Sequence, residues 1–267
     1  MLHQLFTGLL AFIFTGACGQ FFSIDTLKAT GPKEFSGMIS SVNKYIFPKF
    51  NSNVRAAAAK KINDHLTEDL LETKLGEEKQ SIFENVWGSE EFQIPRLTDI
   101  SWQIISNTGK ILSVNMSGQG CGAYCEGFTR GYNYNSMTGN TLHLDSILNP
   151  SGTKRLCDSL DKSKREIITN FIDKVKLNIK NGKGDPGRDP EMLEMYQSCL
   201  EWNFSIYPEY VNSMDFTIEN EQLSVVLGRC SAHVNQALDE LGEFTFKIQL
   251  RDWKQYLTPL GASLLKK

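Results

Sequence analysis

Cys121 and Cys125, with His143 and His233 elsewhere in the chain, are the side chains whose types could hold a metal ion. Zinc sites take thiolates and imidazoles, usually with two residues between paired cysteines. Here three residues separate the cysteines, so the spacing does not predict a metal site. A thiol nucleophile with a His base has no local signature either. Gly118-Gln119-Gly120-Cys121-Gly122-Ala123 fits a loose Gly-x-Gly-x-x-Ala phosphate fingerprint. A β-like segment follows it, however, and not a helix whose amino end could hold a phosphate. The run reads as a tight strand connection that needs close backbone approach. Asp185, Asp189 and Glu191 could offer oxygens to Ca²⁺, but they lack the alternating spacing of a calcium loop and read as a solvated turn. Trp202, Phe204 and Tyr207 could stack on sugars, but read rather as one buried face of a strand. Asp145 and Glu126 are acids that a hydrolase could use, and no pattern pairs them. Gly-x-Ser-x-Gly, His-Glu-x-x-His and Walker-type loops do not occur. No catalytic residue, metal or cofactor is expected.

Whatever chemistry these residues do, the surrounding elements must position it. Ala58, Ile62, Leu66 and Leu70 recur every four residues and predict a helix, capped by Asn51 or Ser52 and ended near Lys74 and Gly76. Before it, residues 34–50 hold short β-like pieces ending in Tyr45-Ile46-Phe47-Pro48. Residues 97–135 read as a β-meander, with Thr108-Gly109 as one turn. Leu156, Leu160, Ile168, Phe171, Ile172, Val175 and Ile179 share one face of a long helix over about 153–180, stopped by Asn181-Gly182. Asp189-Pro190 opens a shorter helix to about Leu200. Strands follow at 214–219, 222–228 and 243–250. The order predicts an α+β fold: two antiparallel β-meanders packed with one early helix and one long central helix.

The first eighteen residues speak of location. Leu5 to Phe14 is an apolar run too short to span a bilayer, which takes ~20 residues. It leads through Thr15-Gly16-Ala17 to Cys18, the pattern of an export signal over 1–17 with Cys18 lipidated. Two alternatives stand beside this: ordinary cleavage after Ala17, and an apolar helix packed on the fold. Residues 18–33 then form a lipid-anchored tether. Residues 34–265 form a single α+β domain, with 34–95 as a possible subdomain. The chain has 267 residues and a formal charge of −3, without the basic footprint of a nucleic-acid binder. Lipidation would place it in the bacterial cell envelope, at the outer membrane or its periplasmic face, with the membrane as a partner. That compartment is oxidising, so Cys121, Cys125, Cys157, Cys199 and Cys230 are disulfide candidates, with one left over. A Cys157–Cys199 bridge is expected to tie the start of the long helix to the end of the short one. Its loop of about forty residues would contribute ~4 kcal/mol.

Three segments carry a resemblance. They are Tyr45-Ile46-Phe47-Pro48-Lys49-Phe50 with Lys61-Ile62-Asn63; Gly131-Tyr132-Asn133-Tyr134-Asn135 with Met137 through Leu148; and Asp215-Phe216-Thr217-Ile218 to Leu223, ending in Phe246 to Leu250. Over about 34–258 the chain resembles the cell-envelope domain of unknown function shared by RsiV-like lysozyme-sensing anti-sigma factors and peptidoglycan deacetylases, outside the catalytic part of the latter. Two loops depart from that pattern. Gly122-Ala123-Tyr124-Cys125 replaces a Gly-Ala-His run, and Gly228-Arg229-Cys230 stands where a Pro-Tyr pair is common. No functional residue is carried over. In the resembling fold the 117–127 and 229–242 segments are neighbouring strand-end turns. The resemblance therefore implies a bridge from Cys230 to Cys121 or Cys125, with a local Cys121–Cys125 bridge as its rival. Function often sits on loops held by a rigid scaffold, so the Gly-rich, Cys-containing connection 117–127, close in that fold to 229–242, gives an expected ligand surface of Gln119, Tyr124, Glu126, Arg229 and His233. The expected function is a non-catalytic lipoprotein domain that binds or senses peptidoglycan or a cell-wall-acting protein such as lysozyme. An envelope hydrolase and a structural partner of an outer-membrane assembly are the alternatives.

Overall fold

Apolar alternation and a four-residue stripe make the first half of the fold. A computed structural model describes residues 21–29, 45–87, 95–201 and 206–265. Cys18 and the expected signal lie outside these residues. Five strands form one sheet in sequence order: β1 (Ser23–Ala29), β2 (Tyr45–Asn51), β3 (Leu97–Asn107), β4 (Ile111–Cys121) and β5 (Cys125–Asn135). Strands β3 to β5 are the expected antiparallel meander. The β2–β3 pair is parallel, and so requires a crossover. Helix α1 (Ala56–Leu71) supplies it. The apolar face of α1, with Ile62 and Leu66 fully buried, covers Phe47, Phe50, Leu112, Val114 and Met116. Buried Asn63 pins helix to strand: its Oδ1 accepts from Phe50 N at 2.9 Å and its Nδ2 donates to Phe50 O at 2.8 Å.

The expected tether is corrected here. Residues 23–29 are an edge strand paired antiparallel with β2 from Ser23↔Asn51 to Ala29↔Tyr45. Its sequence, Ser-Ile-Asp-Thr-Leu-Lys-Ala, carries little apolar signal because most of its side chains are exposed. Backbone pairing orders it instead, with Phe22 buried beside it.

The second half begins with α2 (Leu144–Ile147) and α3 (Pro150–Lys180). Asn149 caps α3 through Gly152 N at 2.9 Å, and Pro150 opens the helix. The stripe stays buried from Leu156 to Val175 except for the half-buried Phe171, and Ile179 emerges into solvent. Helix α4 (Asp189–Glu201) folds back along α3. A second sheet, β6 (Asp215–Glu219), β7 (Gln222–Leu227) and β8 (Phe244–Gln249), is an antiparallel meander. The chain closes with α5 (Pro259–Leu264). Among the described residues no helix is long and apolar enough to cross a membrane.

Each half has its own core, and a polar seam joins them. Asn133 Nδ2 donates to Phe216 O at 2.7 Å, Ser113 Oγ donates to Asn133 Oδ1 at 2.7 Å, and Ile218 N donates to Ser113 Oγ at 3.3 Å. All of these groups are buried. Gly131 lets β6 approach: a Cβ there would stand 2.2 Å from Phe216 O.

The cysteine expectations are corrected in part. The bridges are Cys121–Cys125 and Cys199–Cys230, and Cys157 is a buried free thiol. Helix length explains why Cys157 and Cys199 do not meet. The 13 residues of α4 retrace only part of the 31 residues of α3. Leu200 O accepts from Arg165 Nη1, eight residues and about 12 Å of helix short of Cys157, beyond disulfide reach. Cys230 pairs with Cys199 and not with the hairpin, leaving the local rival at Cys121–Cys125. Burial pushes the Cys157 thiol up to about 11.

Candidate ligand cleft between the two sheets

Strand β4 alternates cleanly. Leu112, Val114 and Met116 face α1, while Ser113, Asn115, Ser117 and Gln119 face the other way. Ser113 is covered by β6, so this polar face looks toward the second sheet. Register extends it across the strands. Ser117 lies between Ser101 and Thr129, and Gln119 between Asp99 and Gly127. Beyond the seam this face of the first sheet, with the loop residues Arg229 and Glu243, lines an open cleft of about 460 Å³. Its floor is this polar face, bare of side chain at Gly127, and Arg229 and Glu243 close it from the second half. Ser117 Oγ and Thr129 Oγ1 are 2.9 Å apart. Thr98 Oγ1 donates to Gln119 Oε1 at 2.8 Å, which leaves the Gln119 amide nitrogen available as a donor.

The β4–β5 hairpin tip borders the cleft. Cys121 and Cys125 are directly opposed, with Cα atoms 4.0 Å apart, and Gly122 N donates to Tyr124 O at 3.0 Å. The tip meets the short 3₁₀ turn His233–Leu238. Tyr124 stacks on His233 with centroids 3.8 Å apart and planes 13° apart. Gln236 Nε2 donates to Glu126 Oε1 at 2.7 Å.

The opposing loop is itself fastened. Cys230 is bridged to α4. Asp239 accepts from Tyr196 OH and Ser231 Oγ, both at 2.7 Å, and from Gly242 N at 2.9 Å. Burial pushes the Asp239 carboxyl upward, but these donors outweigh it and hold the group below its ordinary range. Burial and the Asp239 bond raise Tyr196, which stays a donor. Arg188 adds bonds to Glu240 Oε1 at 2.8 Å and to Ala237 O at 3.2 Å.

The structure thus brings the five expected surface residues to one region. Gln119 and Arg229 line the cleft, and Tyr124, Glu126 and His233 form the tip contact. Sequence reasoning missed Asp99, Ser101, Ser117, Thr129 and Glu243. The polar alternation Ser113-x-Asn115-x-Ser117-x-Gln119 was the available signal.

The remaining candidates are dispersed. Asp145 is held by Asn212 Nδ2 at 2.7 Å, in a network separate from Glu126. His143 stands at the start of α2, its N–H bonded to Ser146 Oγ. Asp189 accepts from Asp185 N at 2.9 Å, so the acidic loop caps its own backbone. Tyr207 is exposed, and Trp202 and Phe204 lie outside the described residues. Among the described residues no group of three His, Cys, Asp or Glu side chains is placed to hold a metal. On the α1 side of β5, Tyr132 donates to Asp69, and His65 Nδ1 lies 2.8 Å from Tyr134 OH. Burial raises both tyrosines, which stay protonated and fasten the helix to the sheet.

No family model matches the chain, and no curated protein matches it significantly in sequence. Solved structures do match it in shape. A crystal structure of a DUF3298 family member from Bacteroides fragilis aligns with a TM-score of 0.52 at 12% identity, covering 92% of this chain and 99% of that one. A DUF3298 family protein from Pseudomonas aeruginosa aligns with a TM-score of 0.46 at 11% identity, covering 90% and 95%. By the first of these alignments, the chain shares the fold of a DUF3298 protein along nearly its whole length.

Proposed function

We propose that this protein is a non-catalytic binding module of the bacterial cell envelope, anchored through Cys18, that takes peptidoglycan or a cell-wall-acting protein such as lysozyme as its ligand. The observation that carries this reading is the fastened pair of loops around the cleft. The hairpin tip is closed by a disulfide, the facing loop is held by another disulfide and by Asp239, and the two touch through Tyr124–His233 and Glu126–Gln236. Loops held on a rigid scaffold are common binding elements, and their prior ordering lowers the entropy cost of association. The export pattern of residues 1–18 and the sequence's resemblance to RsiV-like domains support the envelope location.

The test incubates the purified protein with peptidoglycan sacculi and, separately, with lysozyme. Co-sedimentation and surface plasmon resonance read binding, and chromatography of the soluble fraction reads product. Association with one partner without product release is the expected result. Product formation abolished by Glu126→Gln or Asp145→Asn would overturn the binding reading in favour of a hydrolase.

A further inference from the structure

We propose that the cleft between the two sheets is a saccharide site for a neutral, N-acetylated sugar chain. This deepens the binding-module reading and rests on it. The cleft is open to solvent on one side and holds about 460 Å³. The cleft chemistry then narrows the class.

The charged lining groups are Asp99, Glu243 and Arg229. Among the described residues none of the three forms an ion pair. An anion would face two carboxylates, whereas a cation would meet those two carboxylates together with the one guanidinium, so the charge balance disfavours an anion. An apolar ligand would strip water from hydroxyl, amide and charged groups without replacing their hydrogen bonds, at about 1–3 kcal/mol for each group left unpaired. A sugar hydroxyl both donates and accepts, so one ligand can bond the carboxylates, the guanidinium and the Ser101–Ser117–Thr129 row. That row places one hydroxyl on each of three strands, with Ser117 Oγ and Thr129 Oγ1 2.9 Å apart and Ser101 Oγ donating to Ser117 O at 3.3 Å.

The acetamido preference comes from Gln119. With its Oε1 held by Thr98, its Nε2 is the outward donor and suits an amide carbonyl. Tyr124 supplies the apolar element. Tyr124 is 53% exposed and stacked on His233 at the hairpin tip next to the cleft strands, an aromatic face that the C–H side of a sugar ring could pack on. Gly127 leaves the floor open: nothing comes nearer than 3.9 Å to a Cβ built there.

The test titrates the full chain with three probes by calorimetry and NMR: a neutral N-acetylglucosamine oligomer, a peptidoglycan stem peptide and inorganic phosphate. The oligomer is expected to bind and the other two are not. Arg229→Gln and Gln119→Ala should each weaken oligomer binding about fivefold, one hydrogen bond's worth, with the melting temperature of the Arg229→Gln protein unchanged. Gly127→Val should block the site in a chain whose circular dichroism is native. Binding of the stem peptide or phosphate in place of the oligomer, no oligomer binding at about 10 mM, or oligomer binding indifferent to all three substitutions would overturn the assignment. The two readings fail separately. Sacculus or lysozyme binding that survives all three substitutions removes the cleft assignment and leaves the envelope module. Oligomer binding by a protein that takes neither sacculi nor lysozyme does the reverse.

Discussion

Asp239 shows what a single residue contributes to this site. Its carboxylate gathers four donors from Tyr196, Ser231 and Gly242, and so fixes the loop that carries Arg229 and His233. Its folded pKa lies below the ordinary value of 3.8. A depressed carboxylate contributes fully above its unfolded pKa, and the contribution is lost as pH falls through the folded value. Asp239→Asn should therefore destabilise the protein by roughly 1–2 kcal/mol at pH 7, and the gap to wild type should narrow below pH ~4. Urea unfolding of both proteins at pH 7 and pH 3 measures it; a gap that does not change with pH would refute the role. Nothing in the local sequence marked Asp239, because its donors come from other elements. Gln119, Tyr124 and Glu126 were legible for the opposite reason. They sit in a Gly- and Cys-rich connection whose composition announces a tight exposed turn.

At the scale of elements, the two disulfides do different work. Cys199–Cys230 spans 31 residues and ties α4 to the loop after β7; Cys121–Cys125 spans 4 and closes one hairpin. Chain entropy assigns the longer loop about 3.5 kcal/mol and the shorter about 2 kcal/mol. The double variant Cys199→Ala/Cys230→Ala should thus lower global stability more than Cys121→Ala/Cys125→Ala. The latter should act locally, speeding amide exchange across 117–129. Urea denaturation with hydrogen exchange checks both, and a reversed order of stabilities would be inconsistent with this division. The hairpin itself was readable, because alternation and turn residues lie within a short window. The partner of Cys199 was not, because it depends on how far α4 retraces α3. Strand β1 was missed since its exposed side chains carry no pattern, and only the hydrogen bonds to β2 define it.

At the scale of the whole molecule, two cores meet through a seam of polar groups. Asn133→Ala would leave Phe216 O and the Ser113 hydroxyl without their partner inside the protein. It should cost about 2–3 kcal/mol and weaken the coupling between the halves. Trp87 and Trp102 report on the first core and Trp253 on the second, so single-tryptophan versions can follow each half. Wild type is expected to unfold with coincident transitions, and Asn133→Ala with a lower midpoint for the second half. Coincident, unshifted transitions in the variant would show that the seam does not couple them. The sequence by itself determined the order and type of the main elements, the α+β class and the tight hairpin, because periods of 2 and 3.6 residues and turn chemistry are local properties. Only the tertiary structure decided the parallel β2–β3 pair, the cysteine partners, the seam and the cleft. Each depends on groups brought together from distant positions, as Glu126 and Gln236 are across 110 residues, and no local window contains both partners.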